Sequence, residues 1–155
     1  MGSGTQEREL PGQLTRYEAT LQTPYQTDSR FTFKLPQTES QKELTVSMSA
    51  LTDFEVKQAS KSEGLILTLD GNLQKDETIL LLFTDPKQEA RTILRPGPLS
   101  KKDLLIPADA LLHFEAGEYR LYLVKQSEQN VVGDELDYSF TVEYYTAEKS
   151  FTLTD

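Results

Sequence analysis

The segment from Phe114 to Val124 constrains the fold of this 155-residue chain more than any other stretch. Gly117, a residue type that permits unusual turns, lies two residues before Tyr119, and apolar side chains then occupy every second position. Because successive side chains of a β-strand point to opposite faces of a sheet, this alternation predicts a strand with one buried face. If Tyr119 points inward, Tyr122 points outward. The segment indicates a fold class and carries no catalytic signature.

The same period of two recurs in short runs between turn-forming residues, which is typical of an antiparallel sandwich or, less well matched here, a closed barrel. About eight to ten strands and no long helix are expected after residue 28. The run 78–83 is apolar on both faces, which predicts a central strand covered on both sides. The other runs are 30–35, 44–48, 54–59, 64–69, 89–94, 102–106 and 137–145, with a final edge segment at 151–153. We therefore expect an all-β fold, an antiparallel β-sandwich.

The first 27 residues are too polar to bury a face and are expected to form a tag scar and a polar, flexible tether. Leu14, Tyr17 and Leu21 also fit two amphipathic helical turns. Residues 28–155 are expected to form a single β-sandwich domain. A Met-Gly-Ser-Gly start is compatible with the removal of a native leader, so the visible N-terminus says little about localisation.

Composition narrows the classes of partner. The chain has 25 acidic and 16 basic side chains and a formal charge of −9, so its field repels phosphate backbones and nucleic acid is not an expected partner. The absence of cysteine excludes a disulfide framework and thiolate chemistry within the chain. No apolar run reaches the about 20 residues that a membrane-spanning helix needs, so no such segment is expected.

Catalytic and metal-binding signals are weak. His113 is the only histidine and is expected on a surface loop, since no nucleophile motif accompanies it. The carboxylates at 76–77 and 134–137 are read as solvated turns, although a glycosidase needs only two carboxylates across a cleft. The turn at 70–72 and the segment 133–137 offer oxygen ligands for calcium without the spacing of an EF-hand. We expect no catalytic residue, no cofactor and no metal.

Outward tyrosines are the remaining candidates for a binding site. Tyr122 is expected on the outer face, and Tyr145 joins it there if Tyr144 points inward. Sugar-binding sandwiches stack their ligands on exposed aromatic rings, so Tyr122 and Tyr145 are candidate carbohydrate-binding residues. Ordinary packing between neighbouring strands is the alternative explanation for the same two residues.

The piece from Leu104 to Val124, a Leu-Ile-Pro-Ala-Asp-Ala-Leu stretch followed by Gly117-Glu118-Tyr119, resembles the E-to-F corner of immunoglobulin-like and fibronectin-III-like modules. The resemblance implies that the Tyr119 hydroxyl bonds to the backbone a few residues upstream and that Gly117 ends the corner loop. The chain lacks the cysteine pair and the tryptophan of antibody domains. The facing core strands would then contribute Leu67, Leu81 and Phe83.

The run of short strands also resembles the immunoglobulin-like modules of bacterial surface and periplasmic lipoproteins. This resemblance implies an extracytoplasmic location, at the cell surface or in the periplasm, with lipid anchoring through a removed leader as an option. Together with the lack of a catalytic constellation, it favours a non-catalytic module that binds another protein or acts as a spacer. A carbohydrate-binding module is the alternative hypothesis, and a carboxylate-dependent glycoside hydrolase ranks third.

Overall fold

The computed structural model describes the backbone of residues 6–10, 14–18, 28–34, 41–48, 51–132 and 137–155, and the side chains of Met48, 51–130 and 137–155. These residues form twelve strands and one 3-10 helix, Ala108–Leu111. The expected all-β class is confirmed. The strands are β1 (Gln6–Leu10), β2 (Leu14–Glu18), β3 (Asp28–Lys34), β4 (Gln41–Ser47), β5 (Phe54–Ser60), β6 (Gly64–Leu69), β7 (Glu77–Thr84), β8 (Ala90–Pro96), β9 (Asp103–Ile106), β10 (Gly117–Val132), β11 (Asp137–Tyr145) and β12 (Lys149–Leu153).

Two antiparallel sheets form the sandwich. The three-stranded sheet has the order β5-β6-β9, and the five-stranded sheet has the order β11-β10-β7-β8 with β12 also paired to β10. The 16-residue β10 is long enough to pair with β12 over Gly117–Leu121 and with β11 over Val124–Val132. A parallel bridge between Ser60 and Thr154 joins the two sheets at one side. The long strand β10 therefore organises the larger sheet.

The core lies between the sheets and is built from alternate residues of each strand. Strand β7 shows the pattern most clearly, since its inward residues are buried and its outward residues are half-buried. Each fully buried Leu, Ile or Phe stabilises the fold by about 1.5–3 kcal/mol. The buried set includes Leu51, Phe54, Leu65, Leu67, Leu69, Ile79, Leu81, Phe83, Ile106, Leu111, Leu121, Leu123 and Leu153.

The expectation that β7 is covered on both faces holds only for its inner face. Strand β7 is central, between β8 and β10, as predicted. Its outward residues Leu80 and Leu82 remain half-buried instead of buried. The continuous apolar run thus correctly indicates that β7 is a central strand of its sheet. The outward face of β7 forms part of the surface described below.

The N-terminal residues that the structure describes form strands. Strands β1 and β2 pair as a hairpin, so the prediction of helical turns is wrong over Leu14–Glu18, while Leu21 lies outside the described residues. Strands β3 and β4 also pair with each other and are not hydrogen-bonded into either sandwich sheet. Alternation of apolar residues is the same for a strand of the sandwich and for a strand of a two-stranded hairpin, so the pattern did not distinguish them.

Tyr119 closes the corner that leads into β10. Its ring is 1% exposed, and its hydroxyl donates a hydrogen bond of 2.9 Å to the Glu115 carbonyl oxygen, as the sequence resemblance implied. Gly117 adopts a φ of +150°, and a Cβ at this position would lie 2.7 Å from Cγ of Pro86. Only glycine satisfies both conditions without strain. The ring of Tyr119 stacks on Phe151 with centroids 5.8 Å apart, which ties the corner to β12.

Candidate functional site

The outer face of the five-stranded sheet carries a cluster of apolar and aromatic side chains that we call the outer patch. It arises because four neighbouring strands place apolar residues in one outward row, and two of them, β7 and β10, add a second apolar pair in the next row. Outward positions of a sheet are ordinarily polar when solvent covers that face, so the cluster departs from the usual alternation. The outer patch consists of Leu80, Leu82, Leu94, Tyr122, Val124 and Tyr145.

The strand register sets these residues side by side. Leu94 lies opposite Leu80, and Leu80 lies opposite Val124. Val124 in turn lies opposite Tyr145. Directly opposed side chains in antiparallel strands are close enough to contact one another. The row therefore extends as one apolar band across β8, β7, β10 and β11.

Solvent reaches both ends of this band. Leu94 is 57% exposed and Tyr145 is 56% exposed, whereas Val124 in the middle is buried. The outer face of the three-stranded sheet also has an exposed leucine, Leu105, at 55%. In the neighbouring row of that sheet, however, Thr68 donates a 2.5 Å hydrogen bond to Asp103. The larger sheet therefore presents the more continuous apolar surface.

The two tyrosines predicted to point outward do so, and the structure brings them together. The rings of Tyr122 and Tyr145 stack with centroids 6.4 Å apart and planes inclined by 29°. The Tyr145 hydroxyl donates a 2.6 Å hydrogen bond to Glu143, which also accepts a 2.5 Å bond from the Gln126 amide. This is the cross-strand packing that the sequence left open as an alternative. The tyrosines thus form one end of the outer patch.

Polar groups border the outer patch near the start of β10. Arg120 lies on the outer face, where its guanidinium donates to Gln88 at 2.9 Å and lies 3.5 Å from the Glu148 carboxylate. Together with Gln126 and Glu143, these groups place charged and amide side chains at both ends of an apolar centre. Such a surface can bind a ligand by apolar and aromatic contact, with polar groups fixing its orientation.

Other sequence candidates are engaged elsewhere or are isolated. His113 is exposed on a loop, as expected. The Asp70 carboxylate accepts a hydrogen bond from the Thr52 amide at 2.9 Å, and the Thr52 hydroxyl also donates to it, so this turn uses the carboxylate locally. Within the described parts of the chain no three His, Cys, Asp or Glu side chains are grouped as metal ligands. Residues 133–136 lie outside the described residues.

A buried ion pair that sequence analysis missed lies behind the outer patch. The Lys125 ammonium is 2.9 Å from the Glu77 carboxylate, and the two side chains are 0% and 2% exposed. Lys125 also donates to the Asn72 carbonyl oxygen at 3.3 Å, and Glu77 accepts the Gln74 amide at 2.7 Å. Burial lowers the pKa of Lys125, and the hydrogen bond to Glu77 partly offsets this effect. Glu77 is therefore committed to the core and is not a cleft carboxylate.

A buried carboxylate fixes the turn from β7 into β8. Asp85, which is 4% exposed, accepts backbone N–H groups of Lys87 at 2.9 Å and Glu89 at 2.8 Å. Its second oxygen accepts Arg91 Nε at 3.3 Å. The hydrogen bond from Glu89 holds the pKa of Asp85 below its ordinary value, although desolvation acts in the opposite direction. Asp85 thereby sets where β8 begins.

Protonation of Asp85 should weaken the fold in acid. Because the folded-state pKa lies below the unfolded value of 3.8, the stabilisation is fully present above that value and is lost as the pH falls through the folded-state pKa. We expect the melting temperature of the wild type to fall more between pH 7 and about pH 2.5 than that of Asp85→Asn, since the amide cannot titrate. Equal falls in the melting temperature of both proteins, measured by circular dichroism, would show that protonation of Asp85 does not cause the loss of stability in acid.

Comparison of the chain with models of known protein families, with curated proteins and with solved structures gives no match. No helix among the described residues is both long and apolar enough to cross a membrane.

Proposed function

We propose that this chain is a non-catalytic, extracytoplasmic immunoglobulin-like module that binds another protein through the outer patch. One observation carries the proposal. A single row of opposed side chains runs across four strands, and its two ends, Leu94 and Tyr145, are each more than half exposed. Exposed apolar side chains on a sheet face, with polar groups at their border, are typical of protein-interaction sites.

The residue types in the patch favour a protein ligand. Tyrosine is enriched among the residues that dominate binding energy at interfaces, because it buries a large area while losing little rotamer freedom. Tyr122 and Tyr145 already restrain each other by stacking, so less conformational freedom is lost on binding. Leu80 and Leu82 supply the flat apolar centre beside them, and exclusion of water from this centre would drive association.

The immunoglobulin-like part of the proposal is supported by topology and by the corner. The sheet of β5, β6 and β9 faces a sheet that contains β7, β8, β10 and the two C-terminal strands. In immunoglobulin-like modules too, the chain passes from one sheet to the other and back, so that each sheet contains strands that are not consecutive in sequence. The hydrogen bond from Tyr119 to Glu115 is of the same kind as the tyrosine-corner contact of such modules. The extracytoplasmic location, and a spacer role where no partner is bound, rest on the sequence resemblance.

Two matched leucines test the proposal. Leu94 and Leu105 are almost equally exposed, at 57% and 55%, and lie on the outer faces of different sheets. We expect Leu94→Asp to abolish capture of the partner after chemical cross-linking in the cells that make the protein, because it sets a carboxylate in the apolar row. Leu105→Asp should leave capture intact.

Thermal melting of both variants controls for folding, since exposed substitutions ordinarily change stability by about 0.5 kcal/mol or less. Equal capture by the wild type and both variants would contradict binding through the outer patch. Failure to capture any protein with the wild type would favour the spacer role.

A carbohydrate ligand is the second candidate, and the Tyr122–Tyr145 stack is the observation that favours it. Sugars bind on aromatic faces with nearby hydrogen-bonding groups, and Gln126 and Glu143 lie beside the stack. A glycan array separates the two candidates. A glycan bound by the wild type and lost in Tyr122→Ala and Tyr145→Ala would support this candidate, whereas an array without signal would count against it.

A further inference from the structure

Strand β8 is an edge strand whose second side has no strand partner among the described residues. Its hydrogen-bonding pattern follows from the contacts that flank it. Gly97 N–H donates to the Glu77 carbonyl at 2.8 Å, and Asp85 N–H donates to the Glu89 carbonyl at 3.0 Å. Since hydrogen-bonded pairs alternate along an antiparallel ladder, odd-numbered residues of β8 bond to β7. Thr92 and Leu94 therefore direct their N–H and C=O groups away from the sheet.

The inward face of this edge has an arginine with a buried nitrogen that finds no hydrogen-bond acceptor among the described residues. Arg91, Ile93 and Arg95 share that face. Arg91 is satisfied by Asp85, but Nε of Arg95 is buried without a hydrogen-bond acceptor. A buried donor without an acceptor costs about 1–3 kcal/mol, so an added carboxylate beside Arg95 would relieve that cost.

Positive charge continues beyond the strand. Residues 95–102 contain Arg95, Lys101 and Lys102 and no acidic residue, in a chain whose formal charge is −9. Both lysines are exposed. The chain that leaves β8 is therefore basic in an otherwise acidic protein, and it begins at Arg95, next to the outward-directed peptide group of Leu94.

We propose that the free edge of β8 binds an extended acidic segment of a partner protein as an added antiparallel strand. The outward peptide groups of Thr92 and Leu94 would form the ladder, and a carboxylate of the segment would lie opposite Arg95. An apolar side chain two residues further along would lie opposite Ile93. An inward charge such as Arg95 disfavours pairing of the edge with an apolar or basic strand. An acidic strand is favoured instead, because its carboxylate is attracted to the Arg95 guanidinium.

The added strand would also extend the outer patch. Its alternate side chains would lie beside Leu94, at the exposed end of the apolar row. Edge pairing and contact with the outer patch thus belong to one continuous interface. The inference rests on the proposed function that the module binds protein, and it specifies the chemistry of the bound segment.

A synthetic peptide, Asp-Glu-Val-Ile-Thr-Thr-Thr, tests this directly. In antiparallel register its Glu lies opposite Arg95 and its Ile opposite Ile93. Titration of the peptide into the isotopically labelled full chain, followed by amide NMR, should shift the signals of Thr92 and Leu94 first. A peptide with Lys-Lys in place of Asp-Glu should bind about tenfold or more weakly, the effect expected for one charge-assisted hydrogen bond.

Two variants make the result decisive. Arg95→Glu should reverse the preference, so that the Lys-Lys peptide binds more tightly than the acidic one. Thr92→Pro removes an outward N–H and no bond to β7, so it should fold and lose binding of both peptides. Shifts centred away from β8, or acidic-peptide binding unchanged in Arg95→Glu, would overturn the proposal. Dimerisation through β8 in sedimentation, abolished by Thr92→Pro, would assign the edge to a second copy and also overturn it.

Failure of this inference is separable from failure of the proposed function. Tyr145→Ala alters the outer patch and leaves the β8 edge intact. Partner capture lost in Tyr145→Ala but retained in Thr92→Pro would preserve the proposed function and exclude strand addition at β8.

Discussion

Glu77→Gln should destabilise the folded chain by about 3–5 kcal/mol, because it removes the negative charge that contacts the buried Lys125 ammonium. Both side chains are essentially excluded from solvent, and their charged groups are 2.9 Å apart. The substituted amide keeps the size of the carboxylate and can still accept the Gln74 N–H, so the loss reports the charge and not a cavity. Urea denaturation at neutral pH measures the change in the free energy of unfolding.

Replacing both partners provides the control. The double variant Glu77→Leu with Lys125→Met should be close to the wild type in stability or above it, since apolar pairs of similar volume often replace buried ion pairs without loss. Glu77→Gln should also regain stability as the pH rises toward the unfolded-state lysine value of 10.5, because a folded-state pKa below that value makes stability increase with pH. A single-variant loss below about 1 kcal/mol would contradict the account of this pair.

Tyr119→Ala should cost about 3–5 kcal/mol, the range for removal of a buried aromatic ring. The ring is 1% exposed and contacts Phe83, Phe114 and Phe151, with centroid distances of 6.5, 5.6 and 5.8 Å. Tyr119→Phe keeps the ring and removes only the hydrogen bond to Glu115, so it should cost about 1 kcal/mol. Melting and denaturant titration of both variants separate the packing of the corner from its hydrogen bond.

Tyr122→Phe is the matched control for the hydroxyl. It removes the same group from the opposite face of the same strand, where the side chain is half-buried, and should change stability by about 0.5 kcal/mol or less. An unchanged melting temperature in Tyr119→Phe would refute the role of the hydroxyl in closing the corner. Equal losses in Tyr119→Phe and Tyr122→Phe would do the same.

Much of the sandwich was predictable because side chains alternate along a strand. Once one side chain is known to point inward, the direction of its neighbours in that strand follows. Once Tyr119 is inward, Tyr122 is outward, and the structure agrees. The edge segment at 151–153 and the corner itself were also expected. All of these features depend on local order along the chain, which the period of two and the turn residues report.

The candidate site was less predictable because it depends on register between strands that are distant in sequence. Nothing in the alternation of β8 or β11 indicates that Leu94 and Tyr145 belong to one row. The buried Lys125 did leave a signal, since it occupies the inward position two residues after Leu123. Its partner Glu77 lies at the start of another strand, so only the fold reveals the pair.

Site-specific photo-cross-linking tests the central claim most directly. A photoreactive amino acid replaces Leu94 in one protein and Leu105 in another, and each is irradiated in the cells that make the chain. The account predicts that one protein is joined at position 94 and that the same protein is not joined at position 105. Joining only at position 105, or equally at both positions, would contradict binding through the outer patch.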